Sequence, residues 1–253
     1  MATARLISRY KTTRQNIDAV ATPAATTTWQ PVGHGQLIDM IMDKMKARNI
    51  IVDGEPAYAL AKNGNQMFST LKLKSEARAD FSLAMGIRNS IDKTLAAGIC
   101  CGSSVLVCEN LSFSSELVFT ERHTGHIFEN LPQIIEKALD KFMVLGNEQE
   151  LLYERMKKIE IPLETGISLI RSMGEEHKVL PSNQLYRVMS EYASPRFPEF
   201  RGYNAWTLLN ACTTFCRHDR RSIDPIKEQD NLLGITRIIN QHCGLSLTDA
   251  SIN

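Results

Sequence analysis

Long apolar runs are missing from this chain: the longest extend only a few residues, too short to cross a bilayer as a helix. A surplus of one charge is also missing. Twenty-nine Lys and Arg face 28 Asp and Glu, for a formal net charge of +1. No global field therefore draws the protein to nucleic acid or to a membrane surface, and any such surface must be a local patch. Neither GxGxxG nor GxxxxGK[ST] occurs, which excludes the standard glycine-rich phosphate loops, and HExxH is absent. Internal repeats and low-complexity segments are absent too. The first residues, MATARLISRYKTTRQ, hold no long apolar core, so they do not read as a secretory signal and a cytoplasmic location is expected. Under that expectation the six cysteines read as reduced thiols with no disulfide, no metal and no cofactor.

What is present is an ordinary globular composition, 43% hydrophobic and 23% charged over 253 residues, enough for one large core or two modest ones. The block from Asp80 to His126 organises the rest. It holds apolar, strand-like runs broken by Ile87-Arg88-Asn89-Ser90-Ile91-Asp92 and closed by Arg122-His123-Thr124-Gly125-His126.

Residues 1–33 lack sustained periodicity and read as a locally basic, solvated N-terminal arm. From Gln36 to Arg48, Leu37, Ile38, Ile41, Met42 and Met45 gather on one helical face. Tyr58–Lys62 and Gln66–Leu73 flank Asn63-Gly64, a strong hairpin signal because both residues accept positive φ. Asp80–Ile87, Leu95–Cys101, Val105–Cys108 and Leu117–Thr120 add four strands. Leu131–Lys158 then predicts one long helix or two, stopped before Pro162. Leu163–Met173, Ser182–Tyr192, Tyr203–Phe215 and Lys227–His242 predict further helices.

Strands bunched before helices predict an α+β fold rather than a doubly wound one. The expected architecture is a largely antiparallel sheet packed with helices on one face, followed by a mainly helical C-terminal half. The organisation is a 1–33 arm, a 34–126 helix plus β core, and a 127–253 helical half packed on that core.

Cys212 and Cys216 stand four apart with His218 nearby, a spacing that would give zinc two thiolates, but the remaining ligands would have to come from elsewhere. Buried structural thiols are the simpler reading. Cys108 with His123 is the one nucleophile–base pair to consider, and it is not favoured. Arg122, His123 and His126 cluster after a strand, where they would either grip a phosphate or carboxylate or cap the sheet edge.

Four short steps carry a family resemblance: Pro31-Val32-Gly33-His34 before a helix, Asn89-Ser90-Ile91-Asp92, Val107-Cys108-Glu109-Asn110, and Arg122-His123-Thr124-Gly125. Trp206 to Thr213, running on to His218, adds a late helix. With these in order over roughly residues 30–220, the chain resembles a phage- and plasmid-borne family of unknown function typified by the prophage YfjQ and YafZ proteins. Arg217 stands where that family commonly has an acidic residue. The resemblance implies a mobile-element setting, and the sheet-plus-helix plan is similar at fold level to single-strand annealing proteins.

Two functional classes follow. The first is a mobile-element accessory protein, expected to be a homo-oligomer without bond-making chemistry, that binds single-stranded DNA. Arg88, Lys93, Arg122 and His123 would contact phosphates, with Arg196, Phe197, Arg201 and Tyr203 as an arginine–aromatic interleave. Tyr58 and Phe68 are further stacking candidates. The second is an interaction factor that blocks a host defence protein. A hidden metal hydrolase comes last.

Overall fold

The computed structural model describes residues 10–74, 81–105, 111–112, 118–215 and 225–245. Among them, seven strands form one antiparallel sheet: β1 (Lys11–Thr12), β2 (Ala57–Ala61), β3 (Gln66–Lys72), β4 (Phe81–Ser90), β5 (Ala97–Val105), β6 (Leu111–Ser112) and β7 (Val118–Glu121). The order runs β1 to β6, and β7 lies beside the opening of β5 while β6 pairs near its end. The helices are α1 (Arg14–Asp18), α2 (His34–Ala47), α3 (Ile127–Lys158), α4 (Leu163–Glu175), α5 (Leu185–Ala193), α6 (Ala205–Phe215) and α7 (Pro225–Cys243). The fold is α+β, as the element order predicts.

Neighbouring strands make the sheet because turns between them are chemically cheap. Ala61 pairs with Gln66 across the β2–β3 turn, in which Lys62, Asn63 and Gly64 all take positive φ (51°, 56° and 88°). The Gly64 N–H reaches the Ala61 carbonyl and the Asn65 N–H reaches that of Lys62, both at 3.1 Å. Asn and Gly bear such angles at little cost.

Met67 to Leu71 are buried without alternation. A strand that hides consecutive residues is covered on both faces, so the expectation of helices on one face only is corrected. One layer contains α2 and α3, tied by Lys44–Glu136 and by Arg48–Asp140 at 3.3 Å. Helix α7 packs against β4 and β5 as well as against α6. The expected apolar face of α2 is the buried one: Leu37, Ile38, Ile41 and Met45 are at most 1% exposed.

Two local expectations change. The strand expected to end at Ile87 runs on through Asn89 and Ser90, the last residues of β4, and the chain turns over Ile91–Ala96. There the Asn89 side chain is bonded to the Val32 carbonyl and to His34 at the start of α2. The N-terminal arm is only partly solvated: residues 21–28 are exposed, but the stretch before them docks on the sheet and α2. Lys11–Thr12 adds a strand to β2, Ile17 is 1% exposed, and Arg14 bonds Asp18 and Asp39, each at 2.8 Å. One buried isoleucine plus a paired arginine is enough to dock a short helix. The run Val105–Cys108 ends outside the described residues.

The helical half is a second packing problem with its own solutions. Helix α3 is one element of 32 residues, starting four residues before Leu131. Trp206 of α6 lies against Tyr153 of α3 with ring centroids 4.5 Å apart. Between α4 and α5 the approach is so close that a Cβ on Gly166 would stand 2.1 Å from Tyr192 Cε1. Tyr192 is 1% exposed and donates its hydroxyl to the Ile161 carbonyl at 2.6 Å.

Candidate functional site

Three separate segments meet at one end of the sheet: the coil before α2, the β4–β5 turn, and the short link from β7 to α3. They line a cleft of about 430 Å³ formed by Thr28, Trp29, Lys93, Thr94, Leu95, Ala96, Arg122 and His123.

The β4–β5 turn is built by its own side chains. The Ser90 hydroxyl donates to the Leu95 carbonyl and accepts the Leu95 N–H, both at 2.9 Å. Asp92 accepts the Thr94 N–H at 3.1 Å and the Thr94 hydroxyl, a side-chain-made turn. Partial burial pushes the Asp92 carboxyl up, but the bonds from Thr94 and Ser90 outweigh it and its pKa falls. Within this turn Lys93 takes φ 66° and lies 4.9 Å above the Trp29 ring. Gln66 braces the turn by donating to the Thr94 hydroxyl at 2.8 Å.

The floor beside the cleft is polar and sealed. Asn89 donates one amide hydrogen to the Val32 carbonyl (2.8 Å) and the other to His34 Nδ1 (3.0 Å). His34 Nε2 then donates to the Gly64 carbonyl at 2.9 Å. With one nitrogen accepting and the other donating to a carbonyl, the His34 ring is neutral. Burial, which leaves it 2% exposed, pushes its pKa down. His123, 6% exposed, is also pushed down, first by burial and then by His34. The Gln30 carbonyl lies near enough to favour a proton on His123 but completes no hydrogen bond with it. Among the described residues, both His123 ring nitrogens, Trp29 Nε1 and Asn89 Oδ1 are buried without a hydrogen-bond partner. The His123 main chain is nevertheless fixed, because Gln30 N–H donates to its carbonyl at 3.0 Å.

Of the residues singled out in the sequence, Lys93, Arg122 and His123 come together here. Arg88 does not line this cleft: one position before Asn89 on β4, it alternates to the other face, opposite Phe68 and Gly98. Phe68 is 3% exposed and unavailable for stacking, and Tyr58 is half-buried. His126 is exposed and pairs with Glu129 at 3.2 Å.

The second group forms a local packing cluster in the helical half. Arg196 bonds Glu191 at 2.7 Å and covers the rings of Phe197 and Phe215 at 5.9 and 5.4 Å. Phe197 meets Phe200 edge to face, and Tyr203 meets Tyr192 likewise at 5.6 Å. Arg201 is exposed at the end of the Pro198–Phe200 turn. Phe197 thus lies under an arginine stem, while Tyr203 stays exposed with one edge on Tyr192.

The sequence reading missed Trp29. It sits in a connector with no periodicity, and its one signal was being one of only two tryptophans in the chain. His34 and Asn89 appeared in quoted motifs without a role. Cys100, Cys101 and Cys212 are buried and form no disulfide among the described residues, and burial raises the Cys101 pKa. Cys108, Cys216 and His218 lie outside the described residues. Among the described residues, no three His, Cys, Asp or Glu side chains are grouped to hold a metal ion, and no helix is long and apolar enough to cross a membrane.

Fold and site together define an α+β protein with a cation-rimmed cleft beside a sealed histidine–asparagine floor. Its cleft residues all fall within residues 24–242, which match the family model described as a domain of unknown function, DUF932, and the chain belongs to that family. No curated protein and no solved structure matches it. Three of the resemblance motifs, Pro31–His34, Asn89–Asp92 and Arg122–Gly125, converge on this one place. Val107–Asn110 lies outside the described residues. Trp206–Thr213 belongs to α6, where Asn204 and Thr207 cap the helix start through bonds of 2.9 and 3.1 Å.

Proposed function

We propose that this protein is an accessory factor of a phage, prophage or plasmid that binds single-stranded DNA, without bond-making chemistry of its own. One observation carries the reading: Lys93, Arg122 and His123 line a single cleft with Trp29, although the whole chain is almost neutral. Cations beside an aromatic ring, here the half-buried Trp29, are what sequence-tolerant strand binding uses, phosphates meeting the cations and a base stacking on the ring. The mobile-element setting rests on the motif resemblance alone.

The test is fluorescence anisotropy with a labelled oligonucleotide across a salt series. Lys93→Ala and Arg122→Ala should weaken binding of every sequence alike, each lowering the salt slope by about 0.7 for a lost phosphate contact. Trp29→Ala should cost about 1–3 kcal/mol of binding. Arg201→Ala tests whether the exposed arginine of the helical half shares the strand. No salt-dependent binding at low ionic strength would remove the proposal.

A second groove supports the other reading, a factor that occupies a host defence protein. It measures about 410 Å³ and is lined by Tyr186, Arg196 and Phe215 among others, and Tyr186 is 82% exposed. Capture of a defined host complex that Tyr186→Ala abolishes would favour it.

A further inference from the structure

The cleft is too small to be a track. At about 430 Å³ it falls in the range of small-ligand pockets, whereas strand-binding folds engage roughly 4–16 nucleotides each. Its lining also divides into two chemistries. Lys93 and Arg122 supply two fixed positive charges at the rim, and no carboxylate is among the lining residues. Trp29, Leu95 and Ala96 supply an apolar wall. The nearest acid in the turn, Asp92, is engaged by Thr94. Against this lining stands His123, 6% exposed, with both ring nitrogens unpartnered. Buried polar side chains in folded proteins are almost always hydrogen-bonded. With the Gln30 carbonyl near the ring and no hydrogen bond completed, His123 still has a ring position to offer a ligand atom at this cation-rimmed cleft.

We infer that the cleft takes a phosphate monoester carried on a flat ring: a nucleoside monophosphate, or the phosphorylated end of a DNA strand. The inference rests on the strand-binding reading of the same cleft, and it names the part of the strand that enters. A monoester carries about −1.5 to −2 charges and three free oxygens, while an internal diester carries one charge and two free oxygens. Two fixed cations match the monoester. The Arg122 guanidinium offers a planar fork to two of its oxygens, and the Lys93 ammonium acts as a point charge. A His123 N–H meets the third oxygen once the ring turns toward the cleft it lines. The base lies along Trp29, Leu95 and Ala96.

Isothermal titration of the full chain tests this with five probes: thymidine 5′-monophosphate, thymidine, inorganic phosphate, and one thymidine oligonucleotide with and without a 5′-phosphate. The monophosphate is expected to bind at least tenfold more tightly than thymidine or inorganic phosphate, and the phosphorylated strand at least tenfold more tightly than its hydroxyl form. Lys93→Ala and Arg122→Ala, both at exposed positions, should each reduce monophosphate affinity tenfold or more. Equal binding of the two strands overturns the inference and leaves strand binding standing. Binding of the monophosphate but of neither strand supports the inference and removes strand binding. Inorganic phosphate bound as tightly as the monophosphate overturns the base subsite, and silence from all five probes removes both readings.

Discussion

Gly166→Ala is a substitution whose sign depends on a single neighbour. Glycine inside a helix is normally about 1 kcal/mol worse than alanine, so on propensity alone the change stabilises. In α4 the new methyl would lie 2.1 Å from Tyr192 Cε1, 2.8 Å from Cδ1 and 2.9 Å from Cζ. Atoms at such separations must move by more than an ångström, and the Tyr192 ring is 1% exposed and anchored through its hydroxyl to the Ile161 carbonyl. Overpacking of this kind costs about 1–3 kcal/mol. Loss of the tyrosine hydrogen bond adds about 0.5–1.5 kcal/mol. After the gain in helix propensity, the net destabilisation is about 0.5–3.5 kcal/mol, or roughly 1–14 °C in Tm for a chain of this size. Urea unfolding monitored by circular dichroism measures it. The decisive comparison is the same change in a Tyr192→Ala background. With the ring gone, Gly166→Ala should become stabilising by up to about 1 kcal/mol. A neutral or stabilising effect with Tyr192 present, or the same loss with Tyr192 absent, refutes the argument.

Burial depresses the pKa of both His34 and His123, with Asp92 and the Gly64 carbonyl acting on His34, and His34, the Gln30 carbonyl, Lys93 and Arg122 disposed around His123. The unfolded chain therefore binds more protons below about pH 6.5, so stability should be full above that pH and fall as pH drops toward the folded values. Unfolding midpoints at pH 7.5, 6 and 5 check this, and equal or greater stability at pH 5 contradicts it; losses from Asp92 and Glu136 belong to a lower window, below about pH 4. Arg196→Ala should leave DNA affinity and its salt slope unchanged while costing about 1 kcal/mol of stability, because its partner Glu191 is 8% exposed and the pair is half open to water; a lower salt slope would place Arg196 on the strand.

The fold was legible wherever the signal was local. The Asn63-Gly64 turn, the apolar stripe of α2 and the bunching of strands before helices each depend on residues a few positions apart. Asn89 shows where such reading stops. Its type suits a turn, and only the chain arriving from Val32 and His34 makes it a strand residue with both amide hydrogens engaged. Arg88 shows the same limit from the other side: its charge drew attention, but strand alternation sends it away from Asn89. Trp29 was invisible because its meaning lies in Lys93, which stands above it from a distant turn. Charge and residue type located Lys93, Arg122 and His123; the contacts that join them are long-range and leave no periodic trace.

The bond from Gln30 to the His123 carbonyl has a consequence for the order in which the protein is made. At about 5–20 residues per second, Trp29 leaves the ribosome on the order of ten seconds before the segment that completes its surroundings. Through that wait the coil ahead of α2 has nothing to cover it, and its composition suits the wait: Ala24-Ala25-Thr26-Thr27-Thr28 is small and polar, with the single large ring at its end. The closure is long and entropically late. The cleft should therefore be among the last features to form in a nascent chain, and among the first to be lost from a protein truncated before Arg122.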